Sequence, residues 1–246
     1  MASRIFLDQP LTTGDIITLP DDAARHLVQV LRMRVDETLI VFNGTGGEYE
    51  AILSSVNKRD AQARIGKFHD VNRESPLRVT LAQCVSKGER MDYTLQKAVE
   101  LGVTEIVPLL SARSVVKLDA ERWDKKLEHW RGVIVSACEQ SGRTSLPVLH
   151  PVQALDAWLA ATPTDALKLT LAPNASHGLR DIAADNRDII LLVGPEGGLS
   201  ETEIRAAQAQ GFTALALGPR ILRTETAGVA TLAAIQTLWG DWSHSC

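Results

Sequence analysis

The spacing of hydrophobic residues along this chain changes near residue 75, and the change predicts two kinds of structure. In the first part, short apolar runs are separated by turn signals such as Thr13-Gly14-Asp15 and Asn43-Gly44. This pattern predicts a small β-domain, a partly closed barrel. Its predicted strands are Arg4–Leu7, Asp15–Leu19, Thr38–Asn43, Glu48–Leu53 and Ala61–Phe68.

One helix, Asp21–Met33, is predicted to interrupt these strands, and two acidic residues open it, where carboxylates favour the helix dipole. Helical spacing places Leu27, Val30 and Leu31 on one face. Arginines lie elsewhere on the segment or just past its end, at Arg25, Arg32 and Arg34. Two interpretations stay open: a solvated helix face over a small core, or a phosphate-contacting patch with His26 and Arg4 nearby.

After a predicted linker, Val71–Pro76, strand and helix patterns alternate, which predicts a parallel sheet covered by helices. We therefore expect two domains, at residues 1–72 and 77–242. The predicted strands are Val79–Val85, Glu105–Leu110, a short one near Val148, Ala166–Ala172, Ile189–Val193 and Phe212–Leu217. The predicted helices are Glu89–Leu101, Ala120–Gln140, Ala154–Ala161, one opened by a Ser200 and Glu203 capping box and ending at Gln210, and Ala227–Trp239.

Three loops that follow apolar strands are candidates for a ligand site. They are Leu171–Asn174, the glycine-rich Val193–Leu199 and Leu217–Leu222. In an open parallel sheet, ligands bind at the carboxyl ends of strands and beside helix N-termini, and glycines let a ligand approach the backbone. The alternative is that these loops are only tight strand-to-helix connections.

Composition and charge exclude several classes of protein. At 246 residues, with 45% hydrophobic and 23% charged residues, the chain has the composition of an ordinary globular protein. It contains no apolar run long enough for a membrane span, and its start lacks the pattern of a signal peptide, so we expect a cytoplasmic protein. The net charge of -4 carries no global nucleic-acid signature, so RNA binding would depend on local patches.

Motif spacing excludes the commonest catalytic classes. The P-loop, GxGxxG and GxSxG patterns are absent, and the six histidines form no zinc motif. Three widely spaced cysteines, Cys84, Cys138 and Cys246, form no CxxC pair, which argues against both a disulfide framework and a metal site.

An ordered set of motifs resembles the RsmE family of 16S ribosomal RNA uridine-N3 methyltransferases, within the SPOUT superfamily. The most specific pieces are ILLVGPEGG at Ile190–Gly198 and LGPRILRTETA at Leu217–Ala227. Further pieces are His26–Arg32, Phe42–Tyr49, Lys87–Asp92, Gln96–Val103, Ser111–Val115 and Glu139–Arg143. One departure is Arg34–Glu37, where the family commonly has Gly followed by Asp, and it concerns only the local turn.

The resemblance implies a PUA-like N-terminal β-barrel, a C-terminal SPOUT α/β domain with a trefoil knot, and a homodimer. It implies S-adenosylmethionine (SAM) as methyl donor and 16S rRNA in the small ribosomal subunit as substrate. The three loops would then form the cofactor cleft. The expected cofactor contacts are Leu171, Gly194, Gly197, Leu217, Gly218, Ile221, Leu222 and Thr226.

Uracil N3 is protonated at neutral pH, so the enzyme must help to remove that proton or stabilise the anion that forms. Arg223, with Arg220 behind it, is the candidate cation, and Glu196 or Glu225 is the candidate base. The structural alternative for Arg223 is an ion pair with Glu225 or a dimer contact. RNA contacts are expected at Arg4, Arg25, Arg32, Arg34, Lys87, Arg90, Arg113 and Arg143.

Two rival functions stay open at this point. The first is a SPOUT enzyme that methylates a ribose 2′-hydroxyl or transfer RNA. The second is a ribosome assembly factor that keeps the fold without turnover. Identifying the methylated atom by mass spectrometry would distinguish the first rival from a uridine-N3 methyltransferase. A protein that does not bind SAM in calorimetry would favour the second rival.

Overall fold

The computed structural model describes residues 3–57, 60–116, 118–163, 165–185 and 187–243, and the chain divides into two units. Unit 1 contains the residues up to Glu74 together with Cys138–Leu146, and unit 2 contains Ser75–Ala137 and the residues from Pro147 onward. The short return segment 138–146 thus belongs to unit 1 although it lies between two stretches of unit 2. The predicted boundaries at 1–72 and 77–242 stay a prediction.

Unit 1 is built on a five-stranded sheet in the order β1-β3-β4-β5-β2, in which β1 and β3 are parallel and the other pairs antiparallel. Its strands are β1 (Arg4–Phe6), β2 (Ile16–Thr18), β3 (Thr38–Phe42), β4 (Glu48–Val56) and β5 (Ala61–His69). Along β5, Ala61, Ala63 and Ile65 are buried while Gln62 and Arg64 are exposed. This alternation is what a sheet with one face on a core requires.

The helical segment of unit 1 is shorter than predicted. Helix α1 (Asp21–Arg25) continues into one π-helical turn at His26–Val30, and Arg32 follows in the left-handed region with φ of 56°. The wider turn rotates the later side chains away from α-helical spacing. Leu27 is therefore buried, whereas the other two residues of the predicted apolar face, Val30 and Leu31, are exposed.

Unit 2 is an α/β unit built on a seven-stranded parallel sheet in the order β12-β10-β11-β6-β7-β8, with β9 also paired to β7. Its strands are β6 (Val79–Cys84), β7 (Glu105–Leu110), β8 (Val148–Leu149), β9 (Gln153–Ala154), β10 (Leu167–Leu171), β11 (Ile189–Val193) and β12 (Thr213–Leu215). The α/β fold class is confirmed, and the knot stays a prediction.

The helices of unit 2 are α2 (Glu89–Glu100), α3 (Ala120–Ser141), whose last residues belong to unit 1, α4 (Leu155–Ala160), α5 (Glu201–Ala209) and α6 (Thr224–Trp239). Short 3₁₀ turns lie at Leu179–Asp181 and Asp241–Ser243. Helix α2 buries Met91, Leu95 and Ala98, which are spaced by four and three residues and so share one helical face, and it packs against α6. Helices on the sheet faces explain why all five residues of β11 are buried and apolar.

The strand order places the candidate loops side by side. Strand β10 lies between β11 and β12, and all three run parallel. The loops that follow their carboxyl ends therefore lie side by side at the same end of the strands. Open α/β sheets bind ligands at this carboxyl end.

Candidate functional site

A cavity of about 260 Å³ opens at the carboxyl ends of β10, β11 and β12, within unit 2. Its lining comes from all three candidate loops and from the start of α6. Aliphatic side chains and glycine backbone provide most of the lining. Of the residues expected to contact the cofactor, those that line the cavity are Leu171, Gly194, Gly197, Leu217, Gly218, Ile221 and Leu222.

Thr226 is the one residue of that set that does not belong to the lining. It is exposed on the first turn of α6, whereas Thr224, two residues earlier, is buried and lines the cavity. The helix begins at Thr224, three residues before its predicted start. That shift turns Thr224 toward the cavity and Thr226 toward solvent.

The glycine-rich loop after β11 is compact because its backbone folds on itself. A Cβ at Gly194 would lie 2.8 Å from the backbone nitrogen of Leu199, which leaves no room for a side chain. Gly198 has φ of 66°, and its N–H donates to the carbonyl oxygen of Pro195 at 2.8 Å. The loop thus requires glycine at two positions for different reasons, close approach and a left-handed backbone.

Groups from two other segments of unit 2 hold this glycine-rich loop: the segment that follows β7, and the segment that joins β6 to α2 and continues into the first turn of that helix. Arg113, which follows β7, donates from Nη1 to the carbonyl oxygen of Gly197 at 2.8 Å. Glu196 accepts at Oε1 from the Lys87 N–H at 2.8 Å and from Arg90 Nη1 at 3.0 Å. Two cations predicted to contact RNA, Arg90 and Arg113, are therefore engaged with the loop that lines the cavity.

Glu196 is held as a carboxylate. Burial by itself would raise the pKa of Glu196, but hydrogen bonds from the Lys87 N–H, its own N–H and Arg90 outweigh burial and lower the pKa. A carboxylate with a lowered pKa is a weak base. Its geometry makes Glu196 an anchor for the loop.

Glu203 orders the start of α5 and, with it, the end of the glycine-rich loop. The predicted capping box is confirmed: Ser200 N–H donates to Glu203 Oε2 at 2.7 Å, and Glu203 N–H donates to Ser200 Oγ at 3.2 Å. The second oxygen, Oε1, accepts from the Ala112 N–H at 2.7 Å. Burial would raise the pKa of Glu203, yet the Ala112 and Ser200 bonds lower it.

Arg223 and Glu225 flank Thr224, and the structure does not pair them. The Arg223 side chain is exposed and forms no hydrogen bond or ion pair with the residues that the structure describes. Glu225 Oε1 lies 3.8 Å from Arg90 Nε, and its Oε2 is buried without a hydrogen-bond partner in the described part of the chain. The alternative of an Arg223–Glu225 ion pair is therefore wrong. Arg220, the cation expected behind Arg223, is exposed and lines the cavity.

The unit 1 cations predicted to contact RNA divide into a buried group and an exposed group. Arg4 is largely buried and paired with Glu48, and Arg143, 5% exposed, donates from Nε to Glu74 at 2.8 Å. The exposed group consists of Arg25, Arg32 and Arg34. In unit 2, the side chain of Lys87 is also exposed. Phosphates have access to the exposed cations, whereas Arg4 and Arg143 hold unit 1 together.

Neither a metal cluster nor a membrane-spanning helix occurs in the described ranges. No three His, Cys, Asp or Glu residues there are grouped to hold a metal ion, and no helix there is long and apolar enough to cross a membrane. Cys84 and Cys138 are free and buried, and burial raises the pKa of each thiol to about 12. Cys246 lies outside the described residues.

Sequence reasoning missed two polar residues at this site, Thr224 and Gln83. The polar run Arg223–Thr226 does not by itself distinguish Thr224 from its neighbours. Gln83 carried a signal, because it is an uncharged polar residue inside the apolar strand Val79–Val85 and lies next to Val193 in the sheet register. Such a residue is buried at a cost unless its amide is hydrogen-bonded.

Two family models match the sequence. A model of an RNA methyltransferase domain matches residues 73–236, and a model of an RNA methyltransferase PUA domain matches residues 19–66. Among curated proteins, ribosomal RNA small subunit methyltransferase E of Buchnera aphidicola subsp. Schizaphis graminum is 34% identical over 240 residues, which covers 98% of each chain. The protein of the same name from Bacillus subtilis is 32% identical and covers 94% of this chain and 95% of its own length.

Solved structures agree with these matches over nearly the whole chain. A ribosomal RNA small subunit methyltransferase E from Neisseria gonorrhoeae, bound to S-adenosyl methionine, has a TM-score of 0.92 and 43% identity, covering 98% of this chain and 100% of that one. A Legionella pneumophila protein in complex with the cofactor SAM has a TM-score of 0.95 and 42% identity, covering 98% and 99%.

Proposed function

This chain belongs to the ribosomal RNA small subunit methyltransferase E family, and from that premise we propose that it transfers a methyl group from SAM to uridine N3 of 16S rRNA. The observation that carries the proposal is the cavity at the ends of β10, β11 and β12. It lies where α/β sheets bind small ligands and combines apolar walls with accessible backbone groups.

The residues of the cavity fit SAM. Leu171, Leu217 and Leu222 provide aliphatic surface for an adenine ring, and the backbone of Gly194 and Gly218 is accessible to its polar edge. The cavity volume, about 260 Å³, is close to the lower end of small-molecule sites, roughly 300 Å³. When bound, SAM supplies the electrophilic methyl group.

The chain's own contribution to the reaction is to manage the N3 proton and the negative charge that its loss creates. We assign charge stabilisation to Arg223, because it is exposed, immediately precedes the cavity-lining Thr224 in the chain, and is not neutralised by a described carboxylate. Glu225 is the better candidate base, because one of its oxygens is buried without a partner among the described residues. Glu196 is already occupied by the Lys87 N–H and Arg90.

RNA contact is assigned to the exposed cations Arg25, Arg32, Arg34 and Lys87. Such cations position phosphates without reading sequence. The target is expected in single-stranded or distorted RNA, because N3 lies on the pairing edge of uracil and is hidden in a duplex. In this proposal residues 1–72 form the RNA-binding PUA-like domain and residues 77–242 the methyltransferase domain. The proposal also includes a trefoil knot in the methyltransferase domain, a homodimer and a cytoplasmic location.

The test is a methyl-transfer assay on small ribosomal subunits purified from cells that lack this protein. Labelled SAM and the purified chain are added, and the RNA is digested and analysed by mass spectrometry. We expect one N3-methyluridine per 16S rRNA. A methylated ribose, or a product in transfer RNA, would contradict the N3 assignment, and an absence of SAM binding in calorimetry would indicate a protein without turnover.

A further inference from the structure

A buried amide side chain, that of Gln83, connects two of the loops that border the cavity. Gln83 is 0% exposed in β6, and its Nε2 lies 3.0 Å from the Cys84 carbonyl oxygen and 3.2 Å from Thr224 Oγ1. The carbonyl oxygen of Gly194 is 3.5 Å away. Gly194 and Thr224 line the cavity, whereas Gln83 does not belong to the lining.

The directions of these hydrogen bonds are set by the groups themselves. Thr224 Oγ1 donates its one proton to the Gly194 carbonyl oxygen at 2.6 Å, so the hydroxyl oxygen is left to accept from Gln83. An amide turned over by 180° would point its oxygen at the Cys84 carbonyl oxygen, which cannot donate. The bonds therefore run in one direction, from Gln83 through Thr224 to Gly194.

Core filling does not account for a glutamine at this position. Gln83 Oε1 is buried and has no hydrogen-bond partner among the described residues. A buried, unpaired oxygen costs stability, and an apolar residue of similar size in β6 would avoid that cost. What glutamine supplies, and leucine would not, is the bond to Thr224 at the start of α6.

We propose that Gln83 is a positioning residue of the methyl-donor site. Through Thr224 it fixes the Gly194 carbonyl and the first turn of α6 in the arrangement that binds SAM. The proposal rests on the proposed function of the cavity. It assigns Gln83 no contact with SAM or with the nucleobase.

The proposal predicts a change in SAM affinity with a specific pattern. Gln83→Leu and Thr224→Val should each raise the SAM dissociation constant about tenfold. Because both variants break the same chain of bonds, the double variant should be no weaker than either single one. In the methyl-transfer assay the KM for SAM should rise by a larger factor than kcat at saturating SAM falls. Thr224→Ser keeps the hydroxyl and should bind SAM within about threefold of wild type.

Gln236 offers a matched control. It is the same residue type, 2% exposed on α6, and its amide donates to the Leu101 carbonyl oxygen at 2.8 Å while accepting from Ser75 Oγ at 2.9 Å. None of these groups lines the cavity. Gln236→Leu should lower the thermal unfolding midpoint and leave the SAM dissociation constant within about twofold of wild type.

Isothermal titration calorimetry with SAM on wild type and these variants, with thermal unfolding of each without ligand, completes the test. Wild-type affinity in Gln83→Leu, or additive losses in the double variant, would overturn the positioning role. If Gln83→Leu does not fold, equal affinities of Thr224→Val and Thr224→Ser would overturn it instead. A wild-type chain that does not bind SAM would contradict the proposed function itself, so the two failures are distinguishable.

Discussion

Arg113 Nη1 donates a 2.8 Å hydrogen bond to the carbonyl oxygen of Gly197, so a side chain that follows β7 holds the loop that follows β11. The stem of Arg113 also packs on the glycine, because a Cβ at Gly197 would lie 3.5 Å from Arg113 Cδ. From sequence this arginine is a candidate phosphate contact. Its geometry gives it a second and nearer partner, the backbone of the cofactor loop.

Arg113→Ala is therefore expected to weaken SAM binding. Loss of one charge-assisted hydrogen bond to the loop should raise the SAM dissociation constant about fivefold, measured by calorimetry. Arg205→Ala removes an exposed arginine of α5 and serves as the control, with SAM affinity unchanged. If Arg113→Ala loses RNA affinity but binds SAM normally, the role in SAM binding is contradicted and Arg113 is instead an RNA contact.

Gly194→Ala should reduce SAM affinity by at least about tenfold. The added methyl group would lie 2.8 Å from the Leu199 nitrogen and 3.1 Å from the Gly198 carbonyl carbon, so the loop must move. Gly132→Ala is the matched control, because Gly132 lies inside α3 and, apart from its chain neighbours and its own helix backbone, no atom lies within 4 Å of the added carbon. That variant should gain about 0.5–1 kcal/mol of stability and bind SAM normally. Equal SAM affinity in the two variants would contradict the prediction.

Arg223→Ala should fold and bind SAM but methylate slowly. An exposed cation that stabilises the developing anion acts in the transition state, and we expect kcat to fall about 100-fold. Multiple-turnover methylation at saturating SAM and ribosomal subunit measures kcat, and Arg205→Ala is the control for a surface arginine of the same unit. A normal rate in Arg223→Ala would remove Arg223 from catalysis.

The exposed arginines Arg25, Arg32 and Arg34 should govern the salt dependence of RNA binding. Removing one cation that binds a phosphate should lower the slope of log K against log salt by about 0.7–0.9. The triple alanine variant is thus expected to lower the slope by about 2, measured in filter binding of 16S rRNA fragments. Arg64→Ala, at an exposed arginine of β5 outside this group, should leave the slope unchanged. Equal slopes in the two variants would rule the patch out.

Glu48 should make unit 1 sensitive to acid. Burial by itself would raise the pKa of Glu48, but hydrogen bonds and charges from Arg4 and Arg73 lower it below the ordinary 4.5. Because the folded pKa is the lower one, this stabilisation is complete above about pH 4.5 and is lost as pH falls through the folded pKa. Glu48→Gln should lower the free energy of unfolding by about 3 kcal/mol at pH 7, measured by urea unfolding. The free energy of unfolding of this variant should also depend less on pH below about pH 4.5 than that of the wild type.

Glu139 is the control for Glu48, because its pKa is raised in the folded protein whereas that of Glu48 is lowered. Burial is the largest influence on the pKa of Glu139 and raises it, although its oxygen accepts from the Phe6 N–H at 2.9 Å. The ionised form therefore weakens folding as pH rises from the unfolded pKa through the folded one. Glu139→Gln keeps an oxygen for Phe6 and should not destabilise the chain at pH 7. A loss as large as that of Glu48→Gln would contradict this assignment.

Local pattern was informative for elements whose burial follows simple periodicity. The continuous apolar run of Ile189–Val193 is strand β11 as predicted, and the Ser200–Glu203 capping box opens α5. Pattern was less informative where a local irregularity changed the phase. The π-helical turn at His26–Val30 exposed two residues expected on an apolar face, and the early start of α6 exchanged Thr226 for Thr224 at the cavity.

The sequence by itself determined the α/β class of the second part, the three loops at strand ends and the glycine-rich backbone of the loop after β11. Each of these features depends on residues that are adjacent in the chain. Only the tertiary structure decided which polar groups meet. Arg90 and Arg113 hold the loop of Glu196 and Gly197, Arg143 is paired with Glu74, and Gln83 reaches Thr224. Each of these bonds joins residues at least 69 positions apart, and a linear pattern does not encode such a meeting.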